Sequence, residues 1–353
     1  MADENSMPVW GEIYKEFNIS RITVLHENLN PSDIQDFLNN IKSKITGPDQ
    51  IQLFWSAGQV VGLHDKFIID AFNEFAKSIP NPVVFCLGLL GPVDHTQFKF
   101  IVSNSMYFEY EANTLWKNKS PIDIDYSAHK SRKFLSIGTK DYPQRKFILS
   151  HIINSGLLDQ GYVSFSTQHG SGQMPLTYTT EQMDHIISVG KTIDHLLPIP
   201  KIDNSIHWID MPRHFMTDSY LNMITDTYYE TVTGYTFLSE KVFNAIHHGQ
   251  MFIMLSPQGT LRYLRSQGYQ TFGDFIDESY DDIINHYDRI LAVNRSFMYF
   301  AQRPIEDIYT IYQKCIPILE HNRKRLTETT FLNDLFADIR KAIHLKQFTN
   351  SFL

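Results

Sequence analysis

Three consecutive residues, Ser239, Glu240 and Lys241, carry the clearest chemical pattern in the chain; Val242, Phe243, Ala245 and Ile246 follow as an apolar stripe. A serine oxygen accepts well from the free N–H groups of a helix start. The spacing therefore predicts a helix opening at Ser239, with Glu240 and Lys241 in its first turn. A lysine there is electrostatically out of place, because the helix dipole already puts partial positive charge at that end. A bound anion reverses the sign: exposed amides, dipole and ammonium then all favour a phosphate. Glu240 offsets the ammonium in an empty site and can accept a ribose hydroxyl in a filled one. The competing reading is a solvated Glu–Lys pair on a surface helix.

One lysine balances a diphosphate poorly, so a second cation is expected. The strand-like run 133–137, the loop 138–144 and the basic pair Arg145-Lys146 at a helix start repeat the same logic. Arg145 is the first candidate and Lys140, in the loop, the second. The alternative is a solvated basic turn.

Other patterns read as structural. His247 and His248 are adjacent on a helix, where side chains diverge by about 100° and do not share a metal. Asp281-Asp282 lacks the middle residue of an Asp-x-Asp metal motif and reads as a helix cap. Asp123-Ile124-Asp125 has that spacing but lies in a polar interval between α/β segments. There is no Gly-x-Gly-x-x-Gly cradle and no His-Glu-x-x-His array. The run His169-Gly170-Ser171-Gly172 fits a ligand-touching loop and a merely flexible one equally well. No metal site and no cofactor is expected.

These residues must be held by elements, and the chain alternates them. Runs 21–26, 51–55 and 83–90 are β-branched or apolar and read as buried strands, with 98–102 as a fourth. Segments 30–45 and 65–77 between them carry apolar residues at helical spacing. After the polar interval 117–133, strands are expected at 133–137, 162–166, 221–225 and 251–255. Helices are expected at 145–155, from Thr179-Thr180-Glu181-Gln182 onward, and at 239–249. Beyond Gly259 the chain turns helical, at 261–266, 282–301, 305–325 and 332–345. Short strands separated by helices imply parallel sheets covered on both faces, which bind ligands at the carboxyl ends of their strands. The expected organisation is two α/β domains, 1–125 and 126–353, the second ending in a helical tail.

The stretch around Ser239 resembles the alpha-1,3-fucosyltransferase family. That family's signature is an aromatic-x-Thr-Glu-Lys core, a helix, a small residue before Gly, an apolar strand and a Gly/Pro turn. The matching residues are Phe237, Ser239, Glu240, Lys241, Gly249 and the strand to Leu255. It is also similar to virus- and phage-encoded glycosyltransferase-like proteins, through Pro257-Gln258-Gly259 and Tyr263-Leu264-Arg265-Ser266-Gln267-Gly268. Ser239 stands where the family has Thr, and Ile224-Thr225-Asp226-Thr227 where it has a Glu-Asn-Ser lead-in.

The resemblance covers roughly residues 133–281. It implies a GT-B arrangement: two Rossmann-like domains facing across a cleft, the first binding an acceptor and the second a nucleotide-sugar. It further implies transfer of a sugar from a nucleoside diphosphate to a glycan or other hydroxyl acceptor, inverting and metal-independent. Lys241 and Arg145 would meet the diphosphate, and Glu240 the ribose or sugar. Such a transfer needs a base, expected in the first domain. Candidates are Asp94 with His95 after the third strand, Glu109 or Glu111, and Asp65. A non-catalytic nucleotide-sugar-binding protein and a structural protein on a decayed transferase fold are the alternatives.

Composition sets the bounds. A chain of 353 residues, 42% hydrophobic and 20% charged, has the make-up of a globular protein of about two domains. A net charge of −8 with no basic stripe argues against nucleic acid as partner. Two unpaired cysteines, Cys86 and Cys315, exclude a disulfide framework. The N-terminus lacks a basic-then-apolar signal segment and no run reaches the ~18 apolar residues of a membrane span. A cytoplasmic protein is expected.

Overall fold

The computed structural model describes residues 123–138, 141–165, 178–197, 199, 213–226 and 238–328, together with four strands and scattered helical residues in the remainder. Contacts divide the chain into two compact units, Met1–Asn118 with Thr330–Leu353, and Lys119–Thr329.

The first unit contains a parallel sheet in the order β1 (Ile22–Leu25), β2 (Gln52–Ser56), β3 (Val83–Leu87), β4 (Ile101–Ser103). Register runs Val24 to Trp55 to Cys86 to Val102. Each strand falls within or overlaps a run read as a strand. Helical residues Gln35, Asp36, Leu38 and Asn39, and Asp70, Ala71, Glu74 and Phe75, lie in the two segments of helical spacing, with Leu38 and Phe75 buried. The described strands stand in chain order, with no reversal among them.

The second unit is built on four parallel strands, β5 (Arg132–Gly138), β6 (Gly161–Phe165), β7 (Ser219–Thr225) and β8 (Met251–Leu255), ordered β6-β5-β7-β8. The chain moves outward from β5 to β6, then returns to the other side of β5 for β7 and β8. The strand order therefore reverses between β5 and β7. Every residue of β7 and of β8 is buried, as in a sheet covered on both faces.

Among the described residues this unit has seven helices: α1 (Pro143–Asn154), α2 (Thr180–Lys191), α3 (Arg213–Thr217), α4 (Glu240–His247), α5 (Thr260–Ser266), α6 (His286–Ala301) and α7 (Ile305–Glu328). They sort into packed groups, α1 with α2 and α6, and α4 with α7. Thr179 and Gln182 form the reciprocal capping box at the start of α2.

Two helix starts differ from the sequence expectation. α1 begins at Pro143, not Arg145, because proline at the first helical position lacks only an N–H that would be unpaired there. α6 begins after Asn285, whose side chain accepts from Asp288 N–H at 3.0 Å; the preceding Ser279–Asp282 is a separate 3-10 turn. Asp281 does cap a helix, but an earlier one. Its carboxylate accepts the N–H groups of Leu261 and Arg262, each at 2.9 Å, at the start of α5. Burial raises its pKa above the ordinary carboxylate value, and those two N–H groups oppose the rise.

Candidate functional site

The parallel order fixes where a ligand site is expected. In an open α/β sheet the loops diverge where the strand order reverses, leaving a crevice at the strands' carboxyl ends. In the second unit that point lies between Gly138, ending β5, and Thr225, ending β7. The helices that follow those two strands are α1 and α4. Each carries one of the two cations singled out above.

Ser239 is the N-cap of α4, so Glu240 and Lys241 occupy its first turn. The Ser239 oxygen accepts Lys241 N–H at 3.4 Å, while its hydroxyl donates to Asp226 Oδ1 at 2.6 Å. The Lys241 ammonium turns back and donates to the carbonyl of Thr225 at 2.7 Å. From the other side Arg145, in the first turn of α1, donates to the same carbonyl at 3.2 Å. A carbonyl oxygen has two acceptor positions, and here two cations from two helices use them.

The environments of the two cations differ. Arg145 is 4% exposed, with its guanidinium 5.0 Å from the Tyr142 ring, whereas Lys241 and Glu240 are only half-buried. Burial lowers the Arg145 pKa; the charges of Asp226, Tyr142 and Glu240 oppose that fall. Gly138 contributes by its small size. A Cβ there would lie 2.9 Å from the Phe165 ring and 3.7 Å from Arg145 Cδ.

Asp226, the first residue after β7, joins these parts and is fully buried. Its carboxylate accepts the hydroxyls of Ser239 and Ser256, and its N–H donates to Leu255 O at 3.0 Å. It thus ties the ends of β7 and β8 to the start of α4. Arg145 and Lys241 stand against Asp226 and Glu240, so the site holds two positive and two negative side chains. Asp226 escapes a reading by motif, because a single acid after a strand looks like any loop residue. Its place at the carboxyl end of the strand-like run 221–225 was the available signal.

Cations on carbonyls recur in this unit. Lys130 Nζ donates to Thr217 O at 2.5 Å, Lys133 Nζ to Ala301 O at 3.2 Å, and Arg289 Nε to Ser256 O at 3.1 Å. Each satisfies a carbonyl at or near an element's end. The Thr225 carbonyl differs in receiving two cations and in lying at the strand-order reversal.

No family model and no curated protein matches the sequence. Among solved structures, the chain is similar to an alpha,alpha-trehalose-phosphate synthase (UDP-forming) from Burkholderia vietnamiensis, at 12% identity and a TM-score of 0.40, covering 88% of this chain and 78% of that one. The N-terminal domain of a trehalose-6-phosphate phosphatase from Candida albicans matches at 12% identity and a TM-score of 0.39, over 86% and 73% of the two chains. Likeness at this level says nothing about what the present chain does.

The structure brings together Arg145, Ser239, Glu240 and Lys241. Lys140, Asp94 and Glu109 lie outside the described residues, as do Asp65, His95 and Glu111. Asp125 is engaged in a turn, accepting from the Ser127 N–H at 2.9 Å and its hydroxyl at 2.6 Å. His248 is buried with Nδ1 2.9 Å from Asn244 O, and the His247 ring stands edge-on to it. Among the described residues, no group of three or more His, Cys, Asp or Glu is arranged to hold a metal, and no helix is long and apolar enough to cross a membrane.

Proposed function

We propose that this chain is a glycosyltransferase that binds a nucleoside diphosphate sugar at the carboxyl edge of the second sheet, around Lys241 and Arg145. The observation that carries the reading is the convergence of these two cations, from different helices, on the carbonyl that ends β7. The Ser239-Glu240-Lys241 motif and its following helix and strand support it.

In the proposed reaction the bond between the sugar's anomeric carbon and the diphosphate oxygen breaks, and the diphosphate leaves with the electron pair. An acceptor hydroxyl forms the new bond from the opposite face, and its proton passes to a carboxylate. Lys241, with Arg145 behind it, stabilises the negative charge growing on the diphosphate. Glu240, half-buried beside Lys241, orients the donor through a hydroxyl. Asp94 and Glu109 remain the proposed bases and Lys140 a further donor contact. The GT-B-like pairing of two Rossmann-like domains, the nucleotide-sugar and hydroxyl acceptor as partners, the metal-independent course and a cytoplasmic location belong to the same proposal.

The test is a thermal-shift series with nucleoside diphosphates and inorganic pyrophosphate. At a concentration 100 times Kd, a ligand stabilises the folded state by about 2.7 kcal/mol. Lys241→Ala is expected to abolish the shift while leaving the unliganded midpoint nearly unchanged. A shift that survives this substitution counts against the site. Release of free diphosphate in the presence of an acceptor then separates an enzyme from a binding protein.

The carbonyl contacts of Lys130, Lys133 and Arg289 favour a second reading, in which Arg145 and Lys241 are structural staples and no nucleotide binds. The absence of any ligand-induced shift in the wild-type protein is its expected outcome.

A further inference from the structure

Asp226 has no place in an anion site if charge is considered alone. It is fully buried at the junction of the loops that would receive the diphosphate. A carboxylate there opposes an incoming anion, and with Glu240 it offsets the charges of Arg145 and Lys241. Its geometry is nevertheless fully engaged. The chain of donors runs from Lys241 N–H to the Ser239 oxygen, and from the Ser239 hydroxyl to Asp226 Oδ1, while Ser256 donates to Oδ2. The hydroxyl of Ser239 is thereby turned away from the ligand side, its oxygen left to accept from the helix. The end of β8 is held through Ser256 in the same way.

We propose that Asp226 is the internal counter-ion of the Arg145–Lys241 site, lowering its affinity for a diphosphate so that the leaving group departs after transfer. This rests on the anion-binding reading above and adds a residue to it. Asp226 acts through Ser239, Ser256 and its field at Arg145, not by touching the ligand, so it is a positioning residue. The same charge stabilises the empty site, where two cations otherwise face each other across one carbonyl. A site with two cations and no internal acid would hold its product tightly. The proposed device exchanges part of that affinity for release.

The role has a sign that a purely structural one lacks. Asn and Ser at position 226 both keep a group able to accept from a hydroxyl, and both remove the charge. Loss of one negative charge within several ångströms of a bound anion, in a half-buried site, corresponds to a gain of about tenfold in affinity. The experiment is calorimetric titration of inorganic pyrophosphate into the full chain, comparing wild type, Asp226→Asn, Asp226→Ser and Lys241→Ala at low and high sodium chloride. The expected result is binding by wild type, about tenfold tighter binding by both neutral variants, and a gain that shrinks as salt rises. Wild-type binding with equal or weaker binding by the neutral variants overturns the counter-ion role and leaves the anion site standing. No binding by wild type or either neutral variant removes the anion site and the counter-ion role together. Failure of both variants to fold overturns the role as well, since the carboxylate is then a requirement of the fold and not a regulator of the site.

Discussion

Arg145 and Lys241 share one carbonyl but not one environment, and burial separates what their loss should do. Arg145 is enclosed, with Asp226 as a nearby opposite charge. Arg145→Met would remove a charged hydrogen bond to the Thr225 carbonyl, and a hydrogen bond from a charged group contributes about 1.5–3 kcal/mol. A fall of this size in urea-unfolding stability is expected. Lys241→Ala, at a half-buried position with Arg145 still on the carbonyl, is expected to cost under about 1 kcal/mol. Equal losses from both substitutions would show that the two cations are one structural unit. His248 adds a pH effect at this scale. Burial depresses its pKa from 6.5 to about 4. The folded state therefore binds this proton less readily than the unfolded chain. The stability due to the neutral ring is complete above pH 6.5 and is lost as pH falls from 6.5 towards 4. A loss approaching about 3 kcal/mol is expected over that window. His248→Gln should flatten this part of the pH–stability curve, whatever its effect at pH 7.

At the scale of elements, the ends of α4 and the start of α5 show how the site's surroundings are closed. α4 ends at His247 and is capped by His248; the next residue, Gly249, has a left-handed φ of 65°, and a Cβ there would lie 2.8 Å from the Tyr126 ring. Gly249→Ala combines a disfavoured backbone with a clash against a packed ring, and a loss of about 2–3 kcal/mol is expected by thermal unfolding. The start of α5, which follows β8 through the Pro257-Gln258-Gly259 turn, is filled by Asp281. A helix end already holding a carboxylate is not open to a phosphate, so α4 and α5 differ although both follow strands of one sheet. Asp281→Ala is expected to destabilise by about 1–2 kcal/mol without changing nucleotide-induced shifts. A change in those shifts would extend the site to α5.

At the scale of the whole molecule, the segment before β5 behaves as part of the second unit. Gln313 donates to Tyr126 O at 2.7 Å, Tyr309 to Ser127 O at 3.1 Å, and Lys130 N–H to the Tyr220 hydroxyl at 3.0 Å. Ser131 N–H donates to Asp218 at 2.7 Å. A fragment spanning Lys119–Thr329 is therefore expected to unfold cooperatively on its own and to retain pyrophosphate binding. A fragment starting at Arg132 loses all four bonds, and a midpoint several degrees lower is expected in the same scan.

The sequence by itself determined the alternation of strands and helices, because apolar period and chain punctuation are local properties. It placed β7, α4 and β8 to within a residue or two, and it set Ser239 as N-cap with Glu240 and Lys241 in the first turn. The capping box at Thr179 was equally readable, since both partners lie within one turn. Order within the sheet was not, because parallel strands pair through crossovers whose side of return no local pattern records. Only that order, β6-β5-β7-β8, puts α1 and α4 beside one crevice and lets Arg145 and Lys241 meet on one carbonyl 80 and 16 residues away along the chain. The same reason hid Asp226 and Asp281. Their partners, Ser256 at 30 residues and Leu261 at 20, become neighbours only once the strands are laid side by side.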